Sequence, residues 1–248
     1  LWACFAFTNE RVVPEMTSSQ QQTSVNQDIK DISKNSQWVI IASITFFLLT
    51  AVAMRGGVTN YYIEYFFDRK ASIGAFNSLG MAAGVAGALS VTIFKRHACK
   101  VTLFRWASII VICIHLGFFG LNQAQYEIAL VLSMAANFFH MVVTVLLFSM
   151  VPDTVEYGKS ALKTAGNAMA MSFAGHLLAL KFGIAVGGAM TGWGLAYVGY
   201  VANAVQSESA LSGIVAIYAS GPIALGFVIL ALLSRYKLTN QEMTKYAG

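Results

Sequence analysis

Charged side chains are scarce in this sequence. Only 11% of its 248 residues are Asp, Glu, Lys or Arg, whereas about a quarter of an ordinary soluble domain is charged. Hydrophobic residues make up 57% of the chain, and the mean hydropathy is +0.64. So few charges exclude a water-soluble domain, because they leave most of the surface apolar. We therefore expect lipid to be the solvent for most of that surface.

Cysteine is also rare, and motifs for bound groups are missing. Cys4, Cys99 and Cys113 are odd in number and lack paired spacing, which argues against a disulfide framework and a zinc site. The sequence has no P-loop, HExxH or dinucleotide-binding pattern. The net charge of +5 comes from scattered basic residues, without the stripe typical of nucleic-acid binding. We expect no enzyme activity, no metal, no cofactor and no nucleic-acid partner.

What the sequence does contain is a series of long apolar stretches. A helix needs about 20 residues to cross the roughly 30 Å hydrocarbon core of a bilayer. The stretches reach that length, so the sequence predicts an all-α integral membrane protein, a transmembrane bundle of six helices. The predicted spans are 38–66, 73–94, 103–122, 128–151, 166–198 and 210–234.

The segments around these spans differ in composition. Residues 1–7 are apolar but short, and we interpret them as the end of a preceding transmembrane helix. Residues 8–37 are rich in Gln, Ser, Asn and Thr, which predicts a cytoplasmic central loop. The bundle then occupies 38–235, and 236–248 form a cytoplasmic C-terminal tail.

Positive charges fall mainly on one side of the predicted bundle. Cytoplasmic loops carry the excess of Lys and Arg in membrane proteins. The opposite side holds only Arg69 and Lys70. We expect a multi-pass protein of the plasma (inner) membrane with both ends in the cytoplasm. The basic side holds Arg11, Lys30, Lys34, Lys95, Arg96, Lys100, Lys159, Lys163, Arg235, Lys237 and Lys245.

Small residues recur four positions apart in two of the spans. This spacing lets helix backbones approach closely in membranes. It predicts tight helix contacts and says nothing about a substrate. The pairs are Gly80 with Gly84, Gly183 with Gly187, and Gly188 with Gly192.

A lone charge lies near the middle of the fifth predicted span. Lys181 stands midway between Lys163 and Gly199. A lysine at this depth costs roughly 2.5–3.5 kcal/mol on insertion scales, so it must face protein or water. We predict a role in substrate binding, and the alternative is a structural ion pair.

Polar residues also interrupt the first predicted span. Arg55, Thr59 and Tyr62 share one helix face around Gly56 and Gly57, a pair that favours a broken helix. Broken helices form binding sites in transporters, so Arg55 and Tyr62 are candidates for substrate binding. In the alternative interpretation, Arg55 reaches toward the membrane surface and the tyrosines form an interfacial aromatic belt.

Three histidines lie on three different spans. His115, His140 and His176 lack the spacing of a metal site, and hydrogen-bonded packing explains each of them. His140 and His176 are the better candidates for a substrate cavity. A membrane-embedded enzyme would need them to converge on Asp153 or Glu64, which the depths of these residues in the spans oppose.

A charged group follows the fourth predicted span. Asp153, Glu156 and Tyr157 stand at the end of that helix, where the dipole disfavours negative charge unless cations are near. Lys159 is such a cation. We predict that these residues form a cytoplasmic network that opens and closes, and a static surface network is the alternative.

Two stretches resemble a known transporter family. VPDTVEYGKSALKTAGNAMAMSF and ALKFGIAVGGAMTGWGLAYVGY are similar to the signature region of the glycoside–pentoside–hexuronide:cation symporters, the melibiose permease family of the major facilitator superfamily. Asp153, Glu156 and Tyr157 match a motif after the tenth helix of the family, and Lys181 with Gly183 matches the eleventh helix. By this resemblance the chain is the C-terminal half of a major facilitator fold.

The resemblance implies a function and partners. Members take up sugars with Na⁺ or H⁺ by alternating access between two six-helix halves, and their main cation site lies in the N-terminal half. A sugar, membrane lipid and that N-terminal half are therefore the implied partners. Lys181 would lie near the sugar and the cation. Thr144 replaces a sugar-stacking aromatic, which argues against a melibiose-like galactoside pocket.

Another class of function remains open at this point. A non-transporting membrane module, or a truncated relic of such a transporter, would carry the same six spans. Uptake of a sugar would distinguish the transporter from either of these.

Overall fold

The described residues form helices joined by turns and loops. A computed structural model of the protein describes residues 25–96, 98–162 and 168–245, and these ranges contain no β-strand. Six helices within them are long and apolar enough to cross a membrane. The predicted all-α membrane fold with six spans is therefore confirmed.

Six long helices, α2 to α7, form the membrane-spanning part. Their ends lie within a few residues of the predicted bounds, except that α5 continues well past the predicted end at residue 151. α2 passes directly into a π-helical turn at Tyr62–Phe66. The helices are α1 (Val25–Lys34), α2 (Ser36–Tyr61), α3 (Ile73–Phe94), α4 (Lys100–Gly117), α5 (Tyr126–Leu162), α6 (Ala168–Tyr197), α7 (Glu208–Leu233) and α8 (Asn240–Met243).

Some predicted segments lie outside the described residues. This holds for 1–7, for 8–24 of the predicted central loop, for Lys163 and for 246–248 of the tail. The rest of the predicted loop contains α1 and the first residues of α2. The assignment of these segments to one side of the membrane stays a prediction.

Asn35 separates α1 from the first span. Its Oδ1 accepts a 3.1 Å hydrogen bond from the backbone N–H of Trp38, which satisfies one of the free donors at the start of α2. Its Nδ2 donates over 2.7 Å to the carbonyl of Thr154 in α5. One buried side chain thus caps α2 and ties its first turn to α5.

α2 lies at the centre of the bundle. It contacts α5, α6 and α7, while α4 packs between α5 and α7, and α3 rests mainly on α5. Two buried apolar clusters fill the two ends of the bundle, one containing Ile41 and Leu146, the other Val58 and Ile214. In the most apolar window of each span, only 28% of α3 and 17% of α6 is buried, against 39–44% for the others. Long faces of α3 and α6 therefore have no partner within the described chain.

Glycines allow the close contact between α2 and α6. A Cβ placed on Gly187 would lie 2.5 Å from the carbonyl oxygen of Thr50, and one on Gly183 would meet the carbonyl of Phe46. Gly188 and Gly192, by contrast, have nothing within 4 Å of such a Cβ. The first pair packs against α2, and the second pair lies on the open side of α6.

Candidate functional site

Arg55 is buried inside the bundle without an acidic partner. Its side chain is on α2, only 7% of the residue is exposed, and none of the ion pairs between described residues includes it. Nη2 donates a 2.6 Å hydrogen bond to Oδ1 of Asn137 on α5. Nε and Nη1 have no hydrogen-bond partner among the described residues. The alternative of an arginine that reaches the membrane surface does not describe this geometry.

Asn137 is oriented by its own contacts. Its Nδ2 donates to the carbonyl of Ser133 over 2.9 Å, which leaves Oδ1 to accept from Arg55. A Cβ on Gly80 of α3 would lie 2.8 Å from that Nδ2, so Asn137 occupies the space left by a glycine. Contacts with α5 and α3 therefore hold the acceptor of the arginine.

The prediction that Gly56 and Gly57 break the first span is wrong. α2 is continuous from Ser36 to Tyr61. Gly57 packs against α6, where the side chain of Thr191 would lie 3.1 Å from an added Cβ. The glycine therefore serves helix packing. The departure from α-helical geometry comes later, at Tyr62–Phe66, and such π-helical turns are frequent at functional sites.

Two histidines lie in the same layer as Arg55. The rings of His115 and His140 meet edge to face, with centroids 5.7 Å apart, and both are close enough to interact electrostatically with the guanidinium. Nδ1 of His115 lies 2.7 Å from the carbonyl of Val111, which makes Nδ1 the donor and Nε2 the free acceptor. This layer is rich in potential cations and contains no carboxylate among its described contacts.

Tyr62 belongs to an aromatic core. It is fully buried and stacks on Tyr218 with ring centroids 4.5 Å apart. Phe66, Phe67 and Phe118 surround it at 4.9 to 6.2 Å. Its hydroxyl has no partner among the described residues. Tyr62 is therefore part of the apolar core at this end of the bundle.

His176 and Thr144 lie in a different layer, nearer the basic side. Nδ1 of the fully buried His176 is 3.1 Å from Oγ1 of Thr45 on α2, and its ring meets that of Phe148 at 4.7 Å. The hydroxyl of the partly buried Thr144 donates to the carbonyl of His140, one turn earlier in α5. Hydrogen-bonded packing therefore accounts for Thr144 and for Nδ1 of His176, whereas the buried Nε2 of His176 has no hydrogen-bond partner among the described residues.

Lys181 lies on the open face of α6. It is exposed, and no hydrogen bond or ion pair joins it to a described residue. Exposed Ile184 and Ala185 and the unobstructed Gly188 follow it on that face, as the helical period predicts. The alternative of a structural ion pair has no partner within the described chain.

The candidate residues occupy two levels of the bundle. Gly183 contacts Phe46, so Lys181 lies near this level of α2. Arg55 follows nine residues later, about 13 Å along the helix axis at 1.5 Å per residue. The structure groups Arg55 with His140, and Thr144 contacts the carbonyl of His140 one turn away. His176 and Lys181 lie farther along the bundle. The structure does not place all of the candidate side chains on one wall of a cavity.

The predicted cytoplasmic network includes a basic residue that the sequence did not single out, Lys100. Nζ of Lys100, at the start of α4, lies 2.5 Å from Oδ2 of Asp153, and the two side chains are 25% and 15% exposed. Neither Glu156 nor Lys159 is in an ion pair between described residues. Asp153, Glu156 and Lys159 all lie inside α5, because the helix continues to Leu162 instead of ending at residue 151.

The surroundings of this pair are partly desolvated. Burial lowers the pKa of Lys95, and the nearby Lys100 ammonium lowers it further. Burial raises the pKa of Tyr236, which is also close to Asp153. Tyr157 lines a cavity of about 520 Å³ together with Gln37 and Lys237. The tail after α7 therefore covers the ends of α2 and α5.

Comparison with known proteins agrees with this architecture. The family described as MFS/sugar transport protein matches residues 1–240. The chain is 33% identical over 97% of its length to the inner membrane symporter YicJ of Escherichia coli (strain K12), where it covers 51% of that protein. It is 28% identical over 96% of its length to the isoprimeverose transporter of Lactiplantibacillus pentosus, covering 49%. The chain thus spans about half the length of the curated relatives it matches.

Proposed function

Because this chain belongs to the MFS/sugar transport protein family, we propose that it forms the C-terminal six-helix half of a secondary transporter that takes up a sugar with Na⁺ or H⁺. The relatives are about twice as long as this chain, and one is named as an isoprimeverose transporter. A glycoside is therefore the substrate class we propose. The six described spans supply half of a two-part membrane fold.

The position of Lys181 carries the proposal. Lipid around an ammonium group at this depth is unfavourable by roughly 2.5–3.5 kcal/mol. Yet Lys181 is exposed on the helix with the smallest buried share, 17% of its most apolar window. The open face of α6 is therefore best explained by an aqueous cavity shared with the N-terminal half. That half is the partner we propose for the open faces of α3 and α6.

We assign different roles to the two levels of polar residues. Lys181 and Thr144 form the level that contacts the sugar, with Lys181 donating hydrogen bonds to its hydroxyl groups. The fully buried His176 acts on this level through its contact with Thr45. Arg55 and His140 form the second level, toward the opposite side. Tyr62 acts on the site through helix packing, because it is fully buried.

The remaining assignments follow from this arrangement. We place the main site of the coupling cation in the N-terminal half, and both ends of the chain in the cytoplasm of a plasma (inner) membrane. Asp153 with Lys100 then lies on the cytoplasmic side, where Glu156, Tyr157 and Lys159 extend the network. Closure of this pair would block the sugar path on that side.

Uptake by cells that express the complete protein tests the proposal. A panel of radiolabelled glycosides, pentosides and hexuronides is offered with and without a Na⁺ gradient. Lys181→Ala should abolish uptake of the transported sugar, and Lys181→Arg should restore part of it. Lys34→Ala, an exposed lysine on α1, is the matched control.

The outcomes separate the candidate functions. Uptake that survives Lys181→Ala would show that Lys181 does not take part in sugar binding. A correctly inserted protein that takes up no sugar would favour the non-transporting module.

A further inference from the structure

A second cavity lies at the end of the bundle opposite the basic side. It has a volume of about 640 Å³, within the range of small-molecule sites. Glu64 and Tyr65, from the π-helical turn after α2, form one wall together with Asp68 and Lys70. The loop 203–206 between α6 and α7 forms the other wall. We call this cavity the vestibule.

An aromatic side chain is held rigidly in the vestibule wall. Tyr65 stacks on Tyr61 and meets Tyr200 edge to face, with ring centroids 6.5 and 5.4 Å apart. Its hydroxyl accepts hydrogen bonds from the hydroxyl of Tyr200 at 3.2 Å and the backbone N–H of Asn203 at 3.4 Å. In these contacts Tyr65 only accepts, so its own hydroxyl hydrogen is available to a ligand.

The polar lining mixes donors and acceptors. Glu64 pairs with Lys70 over 2.7 Å. Asp68 is exposed and makes no hydrogen bond or ion pair with a described residue. Among the described non-glycine residues, only Asp68 and Asn203 have a positive φ, 53° and 58°, and both line the vestibule. Backbone of this kind is concentrated at binding sites.

The lining selects among ligand classes. Glu64 is already paired, and the described residues contain no group of three acidic, His or Cys side chains that could hold a metal ion. Two carboxylates against one ammonium disfavour an anion. A fixed aromatic ring beside carboxylates and an ammonium suits a neutral saccharide, because the C–H faces of a sugar pack on the ring while its hydroxyls bond to the charged groups.

We propose that the vestibule binds a neutral saccharide at the non-cytoplasmic mouth of the bundle. This inference rests on the proposed function, since it assigns the same substrate class to a second, outer site. Bound there, the sugar is concentrated at the entrance before it reaches the level of Lys181. The site contributes to apparent affinity without being part of the central cavity.

Protection from labelling tests the proposal in the complete protein. Val205 lines the vestibule and is fully exposed, whereas the exposed Val201 does not line it. With native cysteines replaced by serine, Val205→Cys and Val201→Cys are labelled by a membrane-impermeant maleimide in cold cells. The transported saccharide should slow labelling at residue 205 by several-fold and leave residue 201 unaffected.

A second substitution assigns the protection to the vestibule. Asp68→Asn keeps a residue that tolerates positive φ but replaces a charged hydrogen bond with a neutral one. The saccharide concentration for half-protection should rise about five- to tenfold. Glu208→Gln, an exposed residue of the same side outside the lining, should not change it.

The outcomes distinguish this site from the proposed function. Sugar uptake without protection of Val205→Cys would overturn the vestibule and leave transport standing. Protection that Asp68→Asn does not weaken would also overturn it, because conformational change from central binding would then explain the effect. Protection by a saccharide in cells that take up no sugar would support saccharide binding in the vestibule and overturn the proposed transport function.

Discussion

The Lys100 ammonium and the Asp153 carboxylate are 2.5 Å apart and join the start of α4 to the C-terminal part of α5. Lys100 also donates to the carbonyl of Ser149 over 3.4 Å. Pro152 stands between these two contacts and has no N–H to continue the helical hydrogen bonds. The lysine therefore clamps α5 at the point where its own backbone bonding is weakest.

We expect Lys100→Gln and Asp153→Asn to be coupled. The pair is mostly buried, so each single substitution should lower the free energy of unfolding by about 1–3 kcal/mol, and the double substitution by clearly less than the sum. Thermal denaturation of the purified protein measures the cycle. Lys159→Gln, an exposed lysine outside any described ion pair, should have no comparable effect. Strict additivity of the two substitutions would show that the pair contributes nothing.

The two glycine pairs of α6 should respond differently to alanine. Gly187→Ala forces a Cβ against the carbonyl of Thr50 and should destabilise the protein by about 1–3 kcal/mol. Gly188→Ala adds its Cβ in open space and should change stability by less than about 0.5 kcal/mol. Melting temperatures of both variants give the comparison. A loss for Gly187→Ala as small as that for Gly188→Ala would mean that the contact between α2 and α6 is looser than described.

Substitution of Asn137 tests whether Arg55 lacks a negatively charged partner. Asn137→Ala leaves Nη2 of Arg55 without its acceptor and should cost about 1–3 kcal/mol of stability. Asn137→Asp keeps an acceptor and adds a negative charge beside the guanidinium, so it should be better tolerated than Asn137→Ala. The order of the two melting temperatures decides this. A lower value for the aspartate would indicate that Arg55 is already neutralised in the complete protein.

The hydroxyl and the ring of Tyr62 should have separable effects. Tyr62→Phe removes a buried hydroxyl without a described partner and should leave stability and sugar uptake close to wild type. Tyr62→Ala removes the stack on Tyr218 and should destabilise the protein by about 3–5 kcal/mol. Thermal denaturation and uptake are measured for both. Loss of uptake in Tyr62→Phe without loss of stability would show that the Tyr62 hydroxyl belongs to the substrate site.

Sequence patterns predicted the spans well because continuous apolar runs report directly on burial in lipid. They failed at the end of the fourth predicted span, because α5 continues past residue 151 to Leu162. An apolar run reports on the part of a helix that lies in lipid and not on a polar extension of the same helix. The patterns also failed at Gly56 and Gly57, since composition cannot distinguish a glycine that breaks a helix from one that lets another helix approach.

The candidate site was only partly predictable. Lys181 is conspicuous as a lone charge in an apolar run, and the structure places it on the open face of α6. That it faces protein or water stays a prediction. Asn137 and Lys100 were not selected as site residues, because their importance arises from partners on other helices. A single asparagine in a span has no sequence signal that distinguishes it from ordinary packing.

The length of α5 has a mechanical consequence. Its 37 residues extend about 55 Å, whereas the hydrocarbon core is roughly 30 Å thick. A substantial part of the helix therefore extends beyond the hydrocarbon core. Asp153 lies toward that extension, just after Pro152, where the helix lacks one backbone hydrogen bond. Its ion pair with Lys100 fastens this end of α5 to α4, so a tilt of the embedded part must either carry α4 along or break the pair.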